Sequence, residues 1–244
     1  MIPQGFSLPE FLLIFAVMAA AAFVQSSVGF GLVLVAGPIL LFVDPGFLPG
    51  PMLATALGLT SLVAFRERGS IHFRGVAYAM LGRIPGTLLA VGLLAQIAQG
   101  TFDLLFGGMV LLGVALSVSG WRVEPTPAAA CVAGAASGFM GTISAIGGPP
   151  LALLYQYGSG PRMRSTLAAM FVIGAILSLA ALSLIGRFGS AEVGRSLLLF
   201  PGALTGFLAS RWGTPWVDRR GLRPIVLGLS TLSALAVVFR ALSS

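Results

Sequence analysis

The sequence predicts an all-α polytopic membrane protein made of two inverted repeats, each a broken hairpin segment followed by three transmembrane helices. Three observations lead there. The chain of 244 residues is 57% hydrophobic and 9% charged, with a mean hydropathy of +1.01, whereas soluble domains carry roughly 25% charged residues. Two of its apolar runs are too long for one membrane crossing and are interrupted by Gly and Pro. Its arginines distribute sensibly between the two membrane faces only if those runs turn back on themselves.

The first run extends from Leu8 to Val43, with interruptions near Gly29-Phe30-Gly31 and again at Gly37-Pro38. Wound as one helix it would measure roughly 54 Å at ~1.5 Å per residue, against a hydrocarbon core of ~30 Å. A Pro/Gly turn from Asp44 to Pro51 follows, then spans from Met52 to Phe65, Phe73 to Ala95 and Asp103 to Ser119. The second half repeats the pattern. Thr126 to Tyr157 is broken at Gly147-Gly148-Pro149-Pro150, and spans follow from about Ser165 to Ile185, Val193 to Ser210 and Leu222 to Phe239. Shifting the chain by 111 residues sets Gly37-Pro38 on Gly148-Pro149 and Thr55 on Thr166, while a shift of 116 sets Pro85-Gly86 on Pro201-Gly202. The matches keep one order, which predicts a duplication with residues 1–120 and 121–244 as halves of a single integral membrane domain. The N-terminus lacks a basic n-region and a cleavage site, so the first apolar run is expected to stay in the mature protein.

Charge decides how the broken segments run. If each crosses once, seven arginines (66, 68, 74, 122, 187, 195, 240) face the cytoplasm and six (162, 164, 211, 219, 220, 223) face away. If the second enters and returns as a hairpin, ten (66, 68, 74, 122, 162, 164, 211, 219, 220, 223) lie inside and three (187, 195, 240) outside. The positive-inside rule favours the second arrangement and a multi-pass protein of the cytoplasmic membrane. By the repeat, the first segment is a hairpin too, which gives the halves opposite orientations. Discontinuous segments meeting near the midplane are a construction of secondary transporters. The net charge of +7 and pI near 11.3 therefore reflect topology rather than a nucleic-acid partner. All fourteen basic residues are Arg.

Arg83 is the sharpest single residue. It follows Arg74 by nine positions, which puts it roughly 13 Å deep. A charge at that depth costs at least ~2.5 kcal/mol unless it meets a partner or a wet cavity. The acids Glu10, Asp44, Glu67, Asp103, Glu124, Glu192 and Asp218 all fall at or near span ends, so an anionic substrate is a fitting partner; snorkelling or capping of broken-segment carbonyls is the alternative. Gly147, Gly148 and Pro149, with Gly37 and Pro38 in the first half, suit backbone N–H groups at broken-helix N-termini that hold an oxyanion. Their alternative role is helix packing. Polar side chains in the apolar runs complete the candidate substrate site: Gln25, Ser26, Ser27, Thr55, Thr142, Ser144, Tyr155, Gln156 and Thr166. A Ser or Thr there can simply bond a neighbouring helix, but a carboxamide has four hydrogen-bonding sites to satisfy. Arg162 and Arg164 mark the cytoplasmic mouth, as topology charges or as attractors of anions.

These residues resemble the sulfite exporter TauE/SafE family of membrane permeases. The resemblance lies in Ser27-Val-Gly-Phe-Gly-Leu to Pro38, in Gly141-Thr-Ile-Ser-Ala-Ile-Gly-Gly-Pro-Pro-Leu, in the Pro-Gly spans at Pro85 and Pro201, and in the length. It implies a substrate among sulfite, organosulfonates and related small sulfur oxyanions. The first segment departs from the second, since Ala36-Gly37-Pro38 stands where two glycines precede proline.

Other classes fit less well. His72 is the only histidine and lies in a charged loop, and Cys131 is the only cysteine; neither a Ser/His protease nor a His- or thiolate-based metal centre is expected. No Walker motif is present, and no cofactor is implied. A passive anion channel would use the same residues as a carrier, and a non-transporting membrane subunit would leave Arg83 and the paired breaks without a role. With no deep carboxylate, the coupling choices are a proton, a counter-anion or flow down the voltage gradient. Any lipid-facing stripe can serve as an oligomer interface.

Overall fold

The structure, a computed structural model, describes residues 6–97 and 99–220, without the side chains of 99, 100 and 215–220. The expected span Leu222–Phe239, with Arg223 and Arg240, lies outside the described residues. Those described form nine α-helices and no strand: α1 (Leu8–Val28), α2 (Leu32–Val43), α3 (Gly50–Arg66), α4 (Phe73–Leu94), α5 (Gln99–Val118), α6 (Pro127–Ser144), α7 (Gly148–Tyr155), α8 (Gly160–Leu184) and α9 (Ser190–Arg220). Six are long and apolar enough to cross a bilayer: α1, α4, α5, α6, α8 and α9. α2 and α3 are shorter apolar helices, and α7 has only eight residues.

Both broken segments are hairpins. Phe6, just before α1, stacks on Phe47, just after α2, with ring centroids 5.7 Å apart, so the segment's two ends meet. The second closes around His72. One wall of a pocket beside His72 is formed by Pro125, Thr126 and Pro127 at the start of α6, and the Tyr155 hydroxyl at the end of α7 lies 3.4 Å from His72 Nδ1. The turns use different chemistry. Gly29 and Gly31 adopt φ of 103° and 122°, values that side chains strongly disfavour, and the Gln25 side chain accepts from Leu32 N at 3.0 Å, capping α2. In the second, Ala145 takes a left-handed φ of 59°, and Ser144 Oγ accepts from Ile146 N at 3.3 Å.

The interruption expected at Gly37-Pro38 is absent: α2 runs through Pro38. A proline deprives the helix of one N–H, and in a buried helix the freed carbonyl is tolerated where surrounding protein re-satisfies it. Gly37 instead faces Phe106 of α5, where a β-carbon would stand 2.8 Å from the ring. Other boundaries shift modestly: α8 begins five residues before the expected Ser165, and α9 runs ten beyond Ser210.

Two helix crossings dominate the packing. α4 lies along α6 with Gly82 against the Cys131 carbonyl and Gly86 against that of Ala135, while Gly134 and Gly138 of α6 meet the carbonyls of Ala79 and Arg83. α1 lies along α9, where Gly202 and Gly206 meet the Phe15 and Ala19 carbonyls. Small residues four apart let backbones approach closely, which is how membrane helices gain packing energy without a hydrophobic driving force. α3 and α8 pack between these pairs.

α3 also connects two polar ends. At one, Arg164 Nε reaches both Glu67 oxygens at 3.0 and 3.2 Å, and Arg66 Nη2 lies 3.5 Å from Glu67. The two arginines donate to the last carbonyls of α1, Arg66 to Ser26 O at 2.9 Å and Arg164 to Ser27 O at 3.3 Å. At the other end, Arg195 pairs with Asp44 and Glu192, and Arg187 Nη2 donates to Ile97 O at 3.0 Å. Arg66 and Arg164 thus share one end, while Arg187 and Arg195 share the other, as the hairpin assignment requires.

Candidate functional site

Between the two hairpin turns lies a cavity of about 50 Å³, room for about three or four water molecules. Its walls come from four places: the first turn with the start of α2 (Gln25, Phe30 and Gly31 to Leu34), the second turn with the start of α7 (Ala145 to Pro149), α3 (Leu53, Ala56, Thr60), and α8 (Phe171, Ala175). Arg83 reaches it from α4 and Gly141 from α6. Both half-helices therefore begin at the cavity.

Arg83 is 2% exposed, so it does not snorkel. Its Nη1 donates to Ser137 Oγ of α6 at 2.8 Å, and its buried Nε has no hydrogen-bond partner. A guanidinium has five N–H donors, and leaving one unmet in a buried place is costly. Glycines make the room. A β-carbon on Gly141 would stand 3.1 Å from Nη2 and one on Gly147 3.4 Å from Nη1; on Gly174 of α8 it would overlap the guanidinium itself. Among the described residues no acid pairs with Arg83.

The helix starts add partial positive charge, because the first N–H groups of a helix have no intrahelical acceptor. At α2 the N-cap is Gly31 and Leu32 N is spent on Gln25, which leaves the amides of Gly31, Val33 and Leu34. At α7 the N-cap is Gly147 and helix position one is Gly148, with Pro149 and Pro150 next. This corrects the expected donor set. Proline does not stand at the first helical position, and two prolines remove two donors, so this end offers the Gly147 and Gly148 amides. Gly37 and Pro38, six and seven residues into α2 from Gly31, are no helix start at all.

Of the sequence-derived candidates, the fold brings Gln25, Arg83, Gly147, Gly148 and Pro149 together on the cavity. The others lie elsewhere. Ser26 and Ser27 give their carbonyls to Arg66 and Arg164 at the end of α1. Thr55 donates to Pro51 O and Ser196 O. Thr142 bonds Ser178 at 2.8 Å and Thr87 at 3.4 Å, while Ser144 caps the second turn. Tyr155 sits beside His72, Gln156 donates to Trp121 O, and Thr166 Oγ1 accepts from His72 N. Gly37 and Pro38 are buried inside α2. Sequence reasoning passed over Ser137, Gly141 and Gly174 as cradle residues. They sit in small-residue stretches with no distinguishing neighbour, and only the packing of α6 and α8 on α4 shows which of them face Arg83.

A bundle of membrane-length helices, two interrupted hairpins and a largely apolar cavity, reached by Arg83 and Gln25, where half-helices start together define a polytopic membrane protein with a build common among permeases. The chain belongs to the sulfite exporter TauE/SafE family, a family of membrane permeases: the family model matches residues 13–237. No curated protein and no solved structure matches it.

Proposed function

We propose that the protein is a secondary transporter that moves a small sulfur-containing oxyanion, such as sulfite or an organosulfonate, across the cytoplasmic membrane by alternating access. The carrying observation is Arg83: a buried cation with an unmet donor, at a cavity where two half-helices begin. An anion there would meet a full charge, two helix starts and the Gln25 carboxamide, and the water-poor surroundings would strengthen each interaction. The substrate class follows from the family; the pairing of α4 with α6 and of α1 with α9 supports a repeat. In that reading the halves, α1 to α5 and the chain from α6 onward, run in opposite directions. Rocking one hairpin against the other would open the cavity to alternate faces, and the positive-inside rule assigns the end holding Arg66 and Arg164 to the cytoplasm.

The test is flux of labelled sulfite, sulfate and a short organosulfonate into liposomes containing the purified protein. Saturable flux of at least one anion is expected, falling about tenfold or more in Arg83→Gln and less in Arg83→Lys, with both variants folded. Equal flux in all three proteins would remove Arg83 from the mechanism; flux that does not saturate would favour a channel.

A further inference from the structure

A second cavity, of about 500 Å³, opens at the end of the molecule that holds Arg66 and Arg164. Three separate elements bring cationic or titratable side chains to it: His72 from the α3–α4 connection, Arg122 from the α5–α6 connection and Arg162 from the first turn of α8. Glu124 is the one acid on its wall. Arg122 and Arg162 make no ion pair among the described residues, unlike Arg66, Arg164 and Arg195. Arg122 instead lies over the Tyr157 ring, 5.3 Å from its centroid. The remaining wall is apolar or aromatic, with Leu154, Tyr155 and Met163.

We infer that this cavity is a second binding site, separate from the core cavity, for an organic anion: a sulfonate or carboxylate group on an apolar or aromatic body. Unpaired guanidinium groups from different elements suit one anionic group between them. The size and the aromatic wall suit the rest of the molecule, since this cavity is about ten times the volume of the core one and a bare oxyanion would leave it mostly empty. Arg122 on Tyr157 is already stacked, so the guanidinium is partly fixed before any ligand arrives. The two cavities are joined by α7, which begins in the core cavity at Gly148 and ends in this one at Tyr155, roughly 10 Å apart along the helix.

The site does not depend on the transport reading, and its test can fail separately. Benzenesulfonate is titrated into the purified full-length chain in detergent by calorimetry, beside its neutral counterpart benzenesulfonamide. Expected is binding of the sulfonate, at least about tenfold tighter than the sulfonamide, weakened about tenfold or more in the double variant Arg122→Gln/Arg162→Gln and largely restored by Lys at both positions. In Arg68→Gln, an exposed arginine that lines neither cavity, the affinity should stay within about twofold. Loss of binding in Arg83→Gln with none in the double variant would assign the ligand to the core cavity and overturn the proposal. So would equal affinity for the sulfonamide, or no binding to the native chain. Arg122 and Arg162 are exposed, so the double variant is expected to keep its size-exclusion profile.

Discussion

The two close helix crossings have the same frame but different contents. On α4, Gly82 and Gly86 press against the carbonyls of Cys131 and Ala135; on α9, Gly202 and Gly206 press against those of Phe15 and Ala19. The residue after the first glycine is Arg83 in one crossing and Ala203 in the other, and both are buried. Two positions past the second contacted carbonyl stand Ser137 and Ala21. The first crossing therefore holds a hydrogen-bonded Arg–Ser pair, and the second fills the same places with methyl groups. A membrane crossing of this geometry forms without a charge, so its presence in one crossing is not needed for packing. It is a cost of at least ~2.5 kcal/mol borne at the cavity without an acid partner, whereas the other buried arginine, Arg164, pairs with Glu67.

The largest expected effect strikes both crossings alike. Gly86→Val and Gly206→Val each drive a side chain into a backbone carbonyl and should cost about 3 kcal/mol or more, seen as loss of monodisperse protein in detergent. Gly92→Val, with nothing near its β-carbon, should behave as the native chain. Survival of either crossing variant would mean that the frame is looser than described. A smaller effect separates function from frame: Gly174→Ala displaces the Arg83 guanidinium, and anion flux should fall several-fold, by about 1 kcal/mol in transition-state terms, while the melting temperature changes little. Unchanged flux would show that the guanidinium position is not critical. Least of all, Gln25→Leu leaves Leu32 N without its cap and should lower stability by about 1 kcal/mol, measured as a shift of a few degrees in thermal melting; no shift would mean that another group takes over the cap.

Much of this architecture was legible in the sequence. Runs too long for one crossing, with Gly and Pro inside, foretold the hairpins, and the arginine distribution foretold that they turn back. Nine helical steps after Arg74 set Arg83 well inside α4, and there it is buried by the protein. Proline proved a poor marker of where the first hairpin turns, because a kink-tolerant interior and a true break look the same in sequence. Of the two interruptions expected in the first run, the one near Gly29-Phe30-Gly31 is the turn, with positive φ at both glycines, and the one at Gly37-Pro38 is not. The offset of the repeat suffered accordingly. In the repeat reading, the turns Gly29/Gly31 and Ala145/Gly147 lie 116 residues apart, not the 111 that Gly37-Pro38 suggested. The packing glycines 82/86 and 202/206 lie 120 apart. Tyr155, Gln156 and Thr166 missed the cavity for a simpler reason. α7 is eight residues long, so a few positions past its start already reach the opposite end, near His72.

The convergence of α2, α7 and Arg83 on one cavity also has an electrical consequence. Each helix start presents partial positive charge to the cavity that is balanced at the helix's far end, so Arg83 brings the one net positive charge among the residues that line it. In the transport reading a monovalent oxyanion renders the loaded form nearly neutral, and the membrane potential then acts mainly on the unloaded one. At ~2.3 kcal/mol per charge per 100 mV, the voltage-dependent event would be the return of the empty carrier. Polarising the vesicles should therefore change net flux more than one-for-one exchange.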